Sequence, residues 1–328
     1  MKRREAIKLL GAAAASLVFS PSVVRAQARP VLGFLGSVSF KTFTAHADGF
    51  LQGFKDSGFV DGRNATIEYR WAEGHFDRLP ALAAELVGRP VDLLITVGGN
   101  VAALAAKRAT SKIPTVFLTG DDPVASGLVT SLSRPGGHMT GVTWLGGELG
   151  AKNLEQMREL LPDVTVIGIL LNPTRPTADA QLKNAQEAAR AVGKTLRVFP
   201  VKAAIEVATA FELARAEKIG ALLVASDPLF LVDVKGVADL AKQHAIPTVY
   251  FLREFVVAGG LMSYGADIAS AAKLCGDYAG RIIKGANPAD LPIQQSTKIE
   301  LVLNLKTAKA LGLTIPITLL GRADEVIE

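Results

Sequence analysis

Four apolar segments in the first half of the chain recur, in the same order, in the second half. VLGFLGS at Val31 returns as VIGILLNP at Val166, and IPTVFL at Ile113 returns as IPTVYF at Ile246. VDLLITVGGN and GGHMTG, which start at residues 91 and 136, return as IGALLVASDP and GGLMSY at residues 219 and 259. The four offsets are 135, 133, 128 and 123 residues. Self-similarity at a nearly constant spacing predicts two halves of one architecture.

Within each half, short β-branched and apolar runs alternate with longer segments of helical periodicity. This alternation is typical of βαβ units, in which helices cover both faces of a parallel sheet. The predicted strands are 31–36, 65–69, 92–97, 115–118 and 139–142, then 164–171, 195–199, 221–225, 248–251 and 261–264. The predicted helices include 45–57, 77–87, 100–109, 123–132 and 269–284. The predicted fold class is therefore α/β, with two similar doubly wound parallel-sheet lobes joined by a hinge.

The first 28 residues have the features of an export signal. A basic segment, MKRREAIK, precedes an apolar stretch, LLGAAAASLVF, that is too short to span a bilayer, and small residues favour cleavage near residue 26 or 28. The segment RREAIK approximates the twin-arginine export pattern. The alternative to a cleaved export signal is an uncleaved membrane anchor. The sequence thus predicts a periplasmic location for the mature protein.

Composition excludes some classes of partner. The formal charge of +5 falls to +1 without residues 1–28, which hold five basic residues and one acidic residue. The basic balance therefore belongs largely to the leader and does not indicate a nucleic-acid partner. The one cysteine, Cys275, lies far from the leader, so we expect neither a lipid-modified N-terminal cysteine nor an internal disulfide.

Polar loops follow the apolar strands in both halves. In open parallel sheets, ligands bind beyond the carboxyl ends of the strands, where the strand order reverses. Two such edges facing each other across a hinge would form a cleft. The candidate ligand-binding residues on these loops are Ser37, Gly99, Asn100, Asp121, Asn172, Ser226, Asp227 and Tyr250.

Each candidate also has a purely structural interpretation. Asn100 and Asp227 are suitable N-caps for the segments that follow them, and Asn172 before a proline favours a turn. In TGDDPV, we expect Asp121 to face the cleft and Asp122 to cap a helix that starts at the next residue.

The remaining candidates could be cleft walls or packing residues. Arg253 could clamp a ligand carboxylate, although a surface pair with Glu254 or a hinge anchor is favoured. The aromatic residues that could form cleft walls are Phe40, Trp71, Trp144 and Tyr264, with core packing as the alternative.

Catalytic and metal-binding motifs are missing from the sequence. There is no G-x-S-x-G, H-E-x-x-H or G-x-G-x-x-G motif and no cysteine pair. The four histidines, His46, His75, His138 and His244, lack ligand spacing and are each interpreted as lone surface residues. We therefore predict a protein that is not an enzyme, without catalytic residues, metal or cofactor.

Several long motifs resemble one family. GDDPVASGLVTSLSRPGGHMTGVT, REFVVAGGLMSYG and LNLKTAKALGLTIPITLLGRADEVIE are similar to ABC-transporter substrate-binding proteins of the tryptophan/tyrosine-binding-like family. The resemblance covers nearly the whole mature chain. It implies a type I periplasmic-binding-protein fold and capture of a small molecule, such as an amino acid or an aromatic compound, between the lobes. It also implies a monomer that delivers its solute to an ABC permease and its ATPase subunit.

The resemblance further implies three chain crossings between the lobes, which we place near 143–147, 265–269 and 294–297. The predicted domains are the export signal (1–28), lobe 1 (29–144), lobe 2 (145–265), a return to lobe 1 (266–295) and a C-terminal segment on lobe 2 (296–328). An exported sensory module and an α/β enzyme using the same cleft are the alternative functions.

Overall fold

The computed structural model describes residues 29–144, 146 and 149–328, so the predicted export signal lies outside it. In chain order, the strands are β1 (Val31–Gly36), β2 (Thr66–Trp71), β3 (Leu93–Val97), β4 (Thr115–Thr119), β5 (Met139–Thr143), β6 (Val166–Leu171), β7 (Thr195–Pro200), β8 (Ala221–Val224), β9 (Thr248–Tyr250), β10 (Met262–Ala266), β11 (Gln294–Gln295), β12 (Ile299–Asn304) and β13 (Glu325–Ile327). The helices are α1 (Phe40–Asp56), α2 (Leu79–Val87), α3 (Asn100–Ala109), α4 (Gly150–Leu160), α5 (Ala178–Ala191), α6 (Val207–Ala216), α7 (Val234–Gln243), α8 (Arg253–Val257), α9 (Ile268–Ile283), α10 (Leu305–Ala310) and α11 (Ile317–Leu320).

The strands form two sheets that repeat one topology. The sheet of lobe 1 has the order β11-β5-β4-β3-β1-β2, and the sheet of lobe 2 has the order β13-β12-β10-β9-β8-β6-β7. The five central strands thus follow the same order in both lobes, and all of them pair in parallel. Among the strands that the structure describes, β12 pairs with β10 in antiparallel. The predicted fold class, two similar parallel-sheet lobes, is confirmed.

Both sheets are covered on two faces, as their apolar composition requires. All five residues of β3 and all five of β4 are buried. On one face of lobe 1, α1 and α9 lie so close together that a Cβ atom at Gly53 would be 1.9 Å from the carbonyl oxygen of Lys273. Glycine therefore permits this helix contact, which holds α9 on lobe 1 although α9 follows the last central strand of lobe 2.

Three segments connect the lobes and lie side by side. The chain leaves β5 for α4, leaves β10 for α9, and leaves β11 for β12. Ser296 N–H donates to the carbonyl of Thr143 (2.8 Å), and Asp267 N–H donates to the carbonyl of Lys298 (2.9 Å). The Lys298 ammonium also contacts the Asp267 carboxylate at 2.6 Å. Part of the crossing predicted at 143–147 lies outside the described residues, and the domain limits stay a prediction.

Two predicted helices of lobe 1 need correction. The helix predicted at 123–132 is a series of turns, because the Asp122 carboxylate accepts from the N–H groups of Val124 (2.7 Å) and Ala125 (3.2 Å) and Gly127 adopts a φ of 71°. The predicted N-cap role of Asp122 is therefore replaced by a turn. The helix predicted to begin at residue 45 starts at Phe40, because Ser39 caps it by accepting from Thr42 N–H.

Candidate functional site

The carboxyl ends of the central strands of both lobes line one narrow cleft. Its walls leave a cavity of about 20 Å³, enough for a water molecule. The residues that lobe 1 and its connections contribute are Phe43, His46, Gly98, Gly99, Gly120, Asp121, Trp144 and Ile268. Lobe 2 contributes Arg175, Ser226, Asp227, Pro228, Leu231, Phe251 and Leu252.

Arg175 of lobe 2 reaches across the cleft to lobe 1. Its Nη2 contacts the carboxylate of Asp121 and lies 2.7 Å from Asn100 Oδ1. Its Nη1 lies 3.3 Å from Asp227 Oδ2, on its own lobe. The side chain of Arg175 is 6% exposed, and those of Asp121 and Asp227 are 4% and 3% exposed. One buried guanidinium therefore joins two carboxylates that belong to different lobes.

The local structure holds both carboxylates in place. Asp121 follows β4 and also accepts from Thr177 Oγ1 at 3.0 Å, which is a second contact between the lobes. Asp227 follows β8 and accepts from Leu229 N–H at 2.8 Å, so it caps the short helical turn that begins at Pro228. Burial raises the pKa of Asp227, although the positive charge of Arg175 acts in the opposite direction. With two carboxylates and one guanidinium, the cleft favours a further positive charge.

The amino end of α3 also points at the cleft. Gly98 and Gly99, with φ values of 83° and 90°, connect β3 to α3 and line the cleft wall. Within the described residues, no side chain caps α3, so its first backbone N–H groups are available to an anion. A Cβ atom at Gly99 would lie 2.5 Å from Pro228 Cγ of lobe 2, so only glycine allows the lobes to approach this closely.

Apolar side chains form the rest of the cleft. Phe43 and Trp144 come from the lobe 1 side, and Leu231, Phe251 and Leu252 come from lobe 2. Trp144 is 7% exposed, and its indole Nε1 has no hydrogen-bond partner among the described residues. The cleft thus combines a charged end with aromatic and aliphatic walls.

The structure brings together some of the predicted site residues. Gly99, Asp121, Ser226 and Asp227 line the cleft, and Asn100 contacts Arg175. Asn100 is the first residue of α3, and the N-cap position belongs to Gly99, so the interpretation of Asn100 as a cap is wrong.

Besides Asn100, three predicted residues lie outside the cleft lining. The Ser37 hydroxyl donates to the Gly98 carbonyl (2.6 Å) and so supports the glycine turn from behind. Asn172 closes its own turn by accepting from Thr174 N–H at 3.0 Å. Tyr250 is fully buried in lobe 2, where its ring stacks on Phe255.

The aromatic candidates lie elsewhere, with one exception. Phe40, Trp71 and Tyr264 do not line the cleft, and the first two pack against each other with ring centroids 5.7 Å apart. Trp144 does line it. Arg253 pairs with Glu300 and Glu325 inside lobe 2, which is a structural role.

Sequence reasoning missed Arg175 and misjudged His46. Arg175 stands three residues beyond the candidate Asn172, and a basic residue close to that strand end was the available signal. His46 was expected on the surface, but it is 3% exposed, and its Nε2 lies 2.8 Å from Glu254 Oε1 of lobe 2. The expected surface pairing of Glu254 with Arg253 is therefore replaced by a contact between the lobes.

Metal chemistry finds no support in the described ranges 29–144, 146 and 149–328. No group of three or more histidine, cysteine or acidic side chains in them is arranged to hold a metal ion. Within the same ranges, no helix is long and apolar enough to cross a membrane.

Comparison with known proteins agrees with this geometry. A relative from Clostridioides difficile (strain R20291), a tyrosine-binding protein, is 27% identical over 266 residues, which cover 81% of this chain and 76% of that protein. A solved conserved domain protein from Vibrio cholerae has 27% identity and a TM-score of 0.85, covering 91% of this chain and 100% of its own. An ABC domain from Streptococcus pneumonia, solved in complex with L-Trp, has 26% identity and a TM-score of 0.84, covering 92% of this chain and 100% of its own.

The family comparison covers almost the whole described chain. Residues 33–327 match the sequence profile of the family described as ABC transporter substrate binding protein. Two parallel-sheet lobes around one cleft are the architecture expected of a protein that captures a solute and releases it. The chain therefore belongs to the family of ABC transporter substrate binding proteins.

Proposed function

We propose that the protein binds an α-amino acid with an apolar or aromatic side chain in the cleft between its lobes. The observation that carries this proposal is the arrangement of Arg175 between Asp121 and Asp227. An amino acid brings one ammonium and one carboxylate, and the site offers partners for both. The relatives named for tyrosine and solved with L-Trp support the same ligand class.

The charged groups define the orientation of such a ligand. The ligand ammonium would bind between the carboxylates of Asp121 and Asp227, where Arg175 now supplies the positive charge. The ligand carboxylate would bind the Arg175 guanidinium or the N–H groups at the start of α3, both of which suit a planar anion. The side chain would then face the apolar walls at Trp144 and Phe251.

Ligand entry requires the lobes to part. The cavity between the walls is about 20 Å³, which is too small for an amino acid. Hinge motion about the three connecting segments would open the cleft, and closure on the ligand would bury it. The closed form is then the one that a permease can distinguish from the open form.

The remaining parts of the proposal concern location and partners. Substrate-binding proteins of ABC importers act outside the cytoplasm, and binding rather than catalysis is what the family and its relatives share. We propose cleavage near residue 26 or 28, export to the periplasm by the twin-arginine or general route, and delivery by a monomer to a permease with its ATPase.

The test is a calorimetric and thermal-shift comparison of matched ligands. L-Tryptophan, L-tyrosine and L-phenylalanine are compared with tryptamine, which lacks the carboxylate, and indole-3-propionate, which lacks the ammonium. A ligand at 100 times its Kd stabilises the folded protein by about 2.7 kcal/mol, which raises Tm by roughly 4 °C for a protein of this size. We expect a shift with at least one amino acid and none with either truncated analogue. Equal shifts with an amino acid and its des-amino analogue would contradict the assigned roles of Asp121 and Asp227.

A further inference from the structure

His46 and Glu254 form a further polar contact between the lobes, which shares no residue with the contacts of Arg175 and Thr177. His46 lies on α1 in lobe 1, and Glu254 lies on α8 in lobe 2, 208 residues later. The distance between His46 Nε2 and Glu254 Oε1 is 2.8 Å. An ionised carboxylate can only accept a hydrogen bond, so His46 Nε2–H is the donor in this contact.

The surroundings strengthen this bond. His46 is 3% exposed, and its ring packs edge-on against Phe43 with centroids 4.5 Å apart, so its orientation is fixed. Burial raises the pKa of Glu254, but the hydrogen bond from His46, together with a backbone hydrogen bond and the positive charge of Arg253, outweighs this effect and holds the pKa below its ordinary value. The acceptor is therefore an ionised carboxylate, and hydrogen bonds to ionised groups are roughly twice as strong as neutral ones.

The pair stands between the buried cleft and an outer groove. His46 lines the cleft, whereas Glu254 lines a groove of about 360 Å³ that also spans both lobes. Lobe 1 contributes Ser39, Lys41 and Thr42 to this groove, and residues 232–235 of lobe 2 form its other side. Parting of the lobes would separate His46 from Glu254 and join the groove to the cleft.

We propose that His46 and Glu254 form a latch that holds the cleft closed at its outer edge and so slows ligand release. The two residues are positioning residues, since the bond acts through the distance between the lobes. The latch requires hinge closure but does not depend on which solute is bound, so it goes beyond the proposed ligand class.

The test measures the distance between the lobes directly. Asp77→Cys and Lys202→Cys place spin labels at exposed sites that follow β2 in lobe 1 and β7 in lobe 2. The native Cys275 is buried, and burial raises the pKa of its thiol above the usual range, so it stays unlabelled. Pulsed electron-spin distance measurements then give the ratio of closed to open molecules without any ligand.

The variants form a double-mutant cycle with a rescue. His46→Leu and Glu254→Leu each remove one partner, and the double variant removes both. We expect each single variant to lower the closed-to-open ratio by about 10- to 150-fold, the range for a hydrogen bond to a charged group. The double variant should lower it by little more than either single variant. His46→Gln, which keeps an N–H donor at similar reach, should recover part of the closed population.

A matched control changes the same residue type away from the lobe boundary. Glu159 accepts from Arg322 and Thr318 within lobe 2, so Glu159→Leu should leave the distance distribution unchanged. Circular dichroism checks that each variant is folded, and Glu254→Gln, which is nearly isosteric, replaces Glu254→Leu if the latter does not fold.

The outcomes separate the latch from the ligand proposal. Unchanged distances in both single variants, or strictly additive effects in the double variant, would overturn the latch. With L-tryptophan as the probe, a latch predicts that the dissociation rate rises by the same factor as the closed-to-open ratio falls. If none of L-tryptophan, L-tyrosine and L-phenylalanine binds, the ligand class is wrong, while the distances without ligand still decide on the latch.

Discussion

Replacing Arg175 by methionine should open the cleft while leaving both lobes folded. The guanidinium is 6% exposed and contacts Asp121 on lobe 1 and Asp227 on lobe 2. Methionine keeps much of the side-chain volume but removes the charge. In the closed form, two buried carboxylates would then face each other without a cation.

The magnitude follows from the burial of these groups. Removing one partner of a buried ion pair typically costs about 3–5 kcal/mol, because a charge is left buried and uncompensated. Here Asp121 and Asp227 belong to different lobes, so opening the cleft returns both carboxylates to water. The cost therefore falls on closure, and the closed-to-open ratio should drop by roughly 150- to 5,000-fold. The unfolding of each lobe should change little.

The assay combines spin-label distances across the cleft with thermal unfolding. Arg322→Met is the matched control, because Arg322 pairs with Glu159 and lies 3.1 Å from Gln156 Oε1 within lobe 2. We expect the distance distribution of Arg175→Met to be longer and broader than that of the wild type. The distance distribution of Arg322→Met should be unchanged. Arg175→Lys keeps the positive charge but loses the forked donors of the guanidinium, so its distance distribution should lie between those of Arg175→Met and Arg322→Met.

Two results would refute the reasoning. If the ligand-free wild type already shows the long distances, Arg175 does not hold the lobes together in solution. If Arg175→Met unfolds at a Tm lowered by more than about 10 °C with unchanged distances, the ion pairs stabilise a lobe rather than closure.

Three further predictions concern the cleft and the core. Gly99→Ala places a Cβ at a φ of 90° and 2.5 Å from Pro228 Cγ, so amino-acid affinity should weaken by at least about 10-fold in calorimetry. The backbone strain should also lower the free energy of unfolding of the ligand-free protein by about 1–3 kcal/mol. Unchanged affinity would mean that the bound form is less closed than this one. Burial raises the pKa of Asp227 above its ordinary 3.8, so the ligand-free closed form loses stability as pH rises through the raised value. The ammonium group of a ligand favours the ionised form of Asp227, so ligand binding just above pH 3.8 should release protons from this carboxyl group. Proton release is measured as a dependence of the binding enthalpy on the buffer. The Asp227→Asn variant should release no protons on binding. Phe211→Ala removes a fully buried ring from lobe 2 and should lower the free energy of unfolding in urea by about 3–5 kcal/mol, whereas a loss below 1 kcal/mol would contradict the assigned packing.

Much of the scaffold could be predicted from local patterns. The first strand was predicted at 31–36 and is observed as Val31–Gly36, and the helix predicted at 100–109 is observed as Asn100–Ala109. The periodicity of strands and helices depends on residues that are close in sequence, so it can be recognised without knowledge of the tertiary structure. The helix expected at 123–132 was wrong because an Asx turn at Asp122 and a positive φ at Gly127 compete with helix formation.

The site was harder to predict, because its contacts join distant parts of the chain. The loops after β4 and β8 were identified, and Asp121 and Asp227 do line the cleft. Their shared partner, Arg175, lies 54 residues from Asp121 in sequence and belongs to the other lobe. No local pattern distinguishes a side chain that crosses a cleft from one that points into solvent.

The sequence by itself determined a duplicated α/β scaffold with polar strand ends, because repeats and hydrophobic periodicity are properties of the order of residues along the chain. Only the tertiary structure decided which polar groups meet. Whether His46 is a surface residue or the partner of Glu254 depends on the approach of two lobes, and burial between them is what gives an ion pair or hydrogen bond its strength.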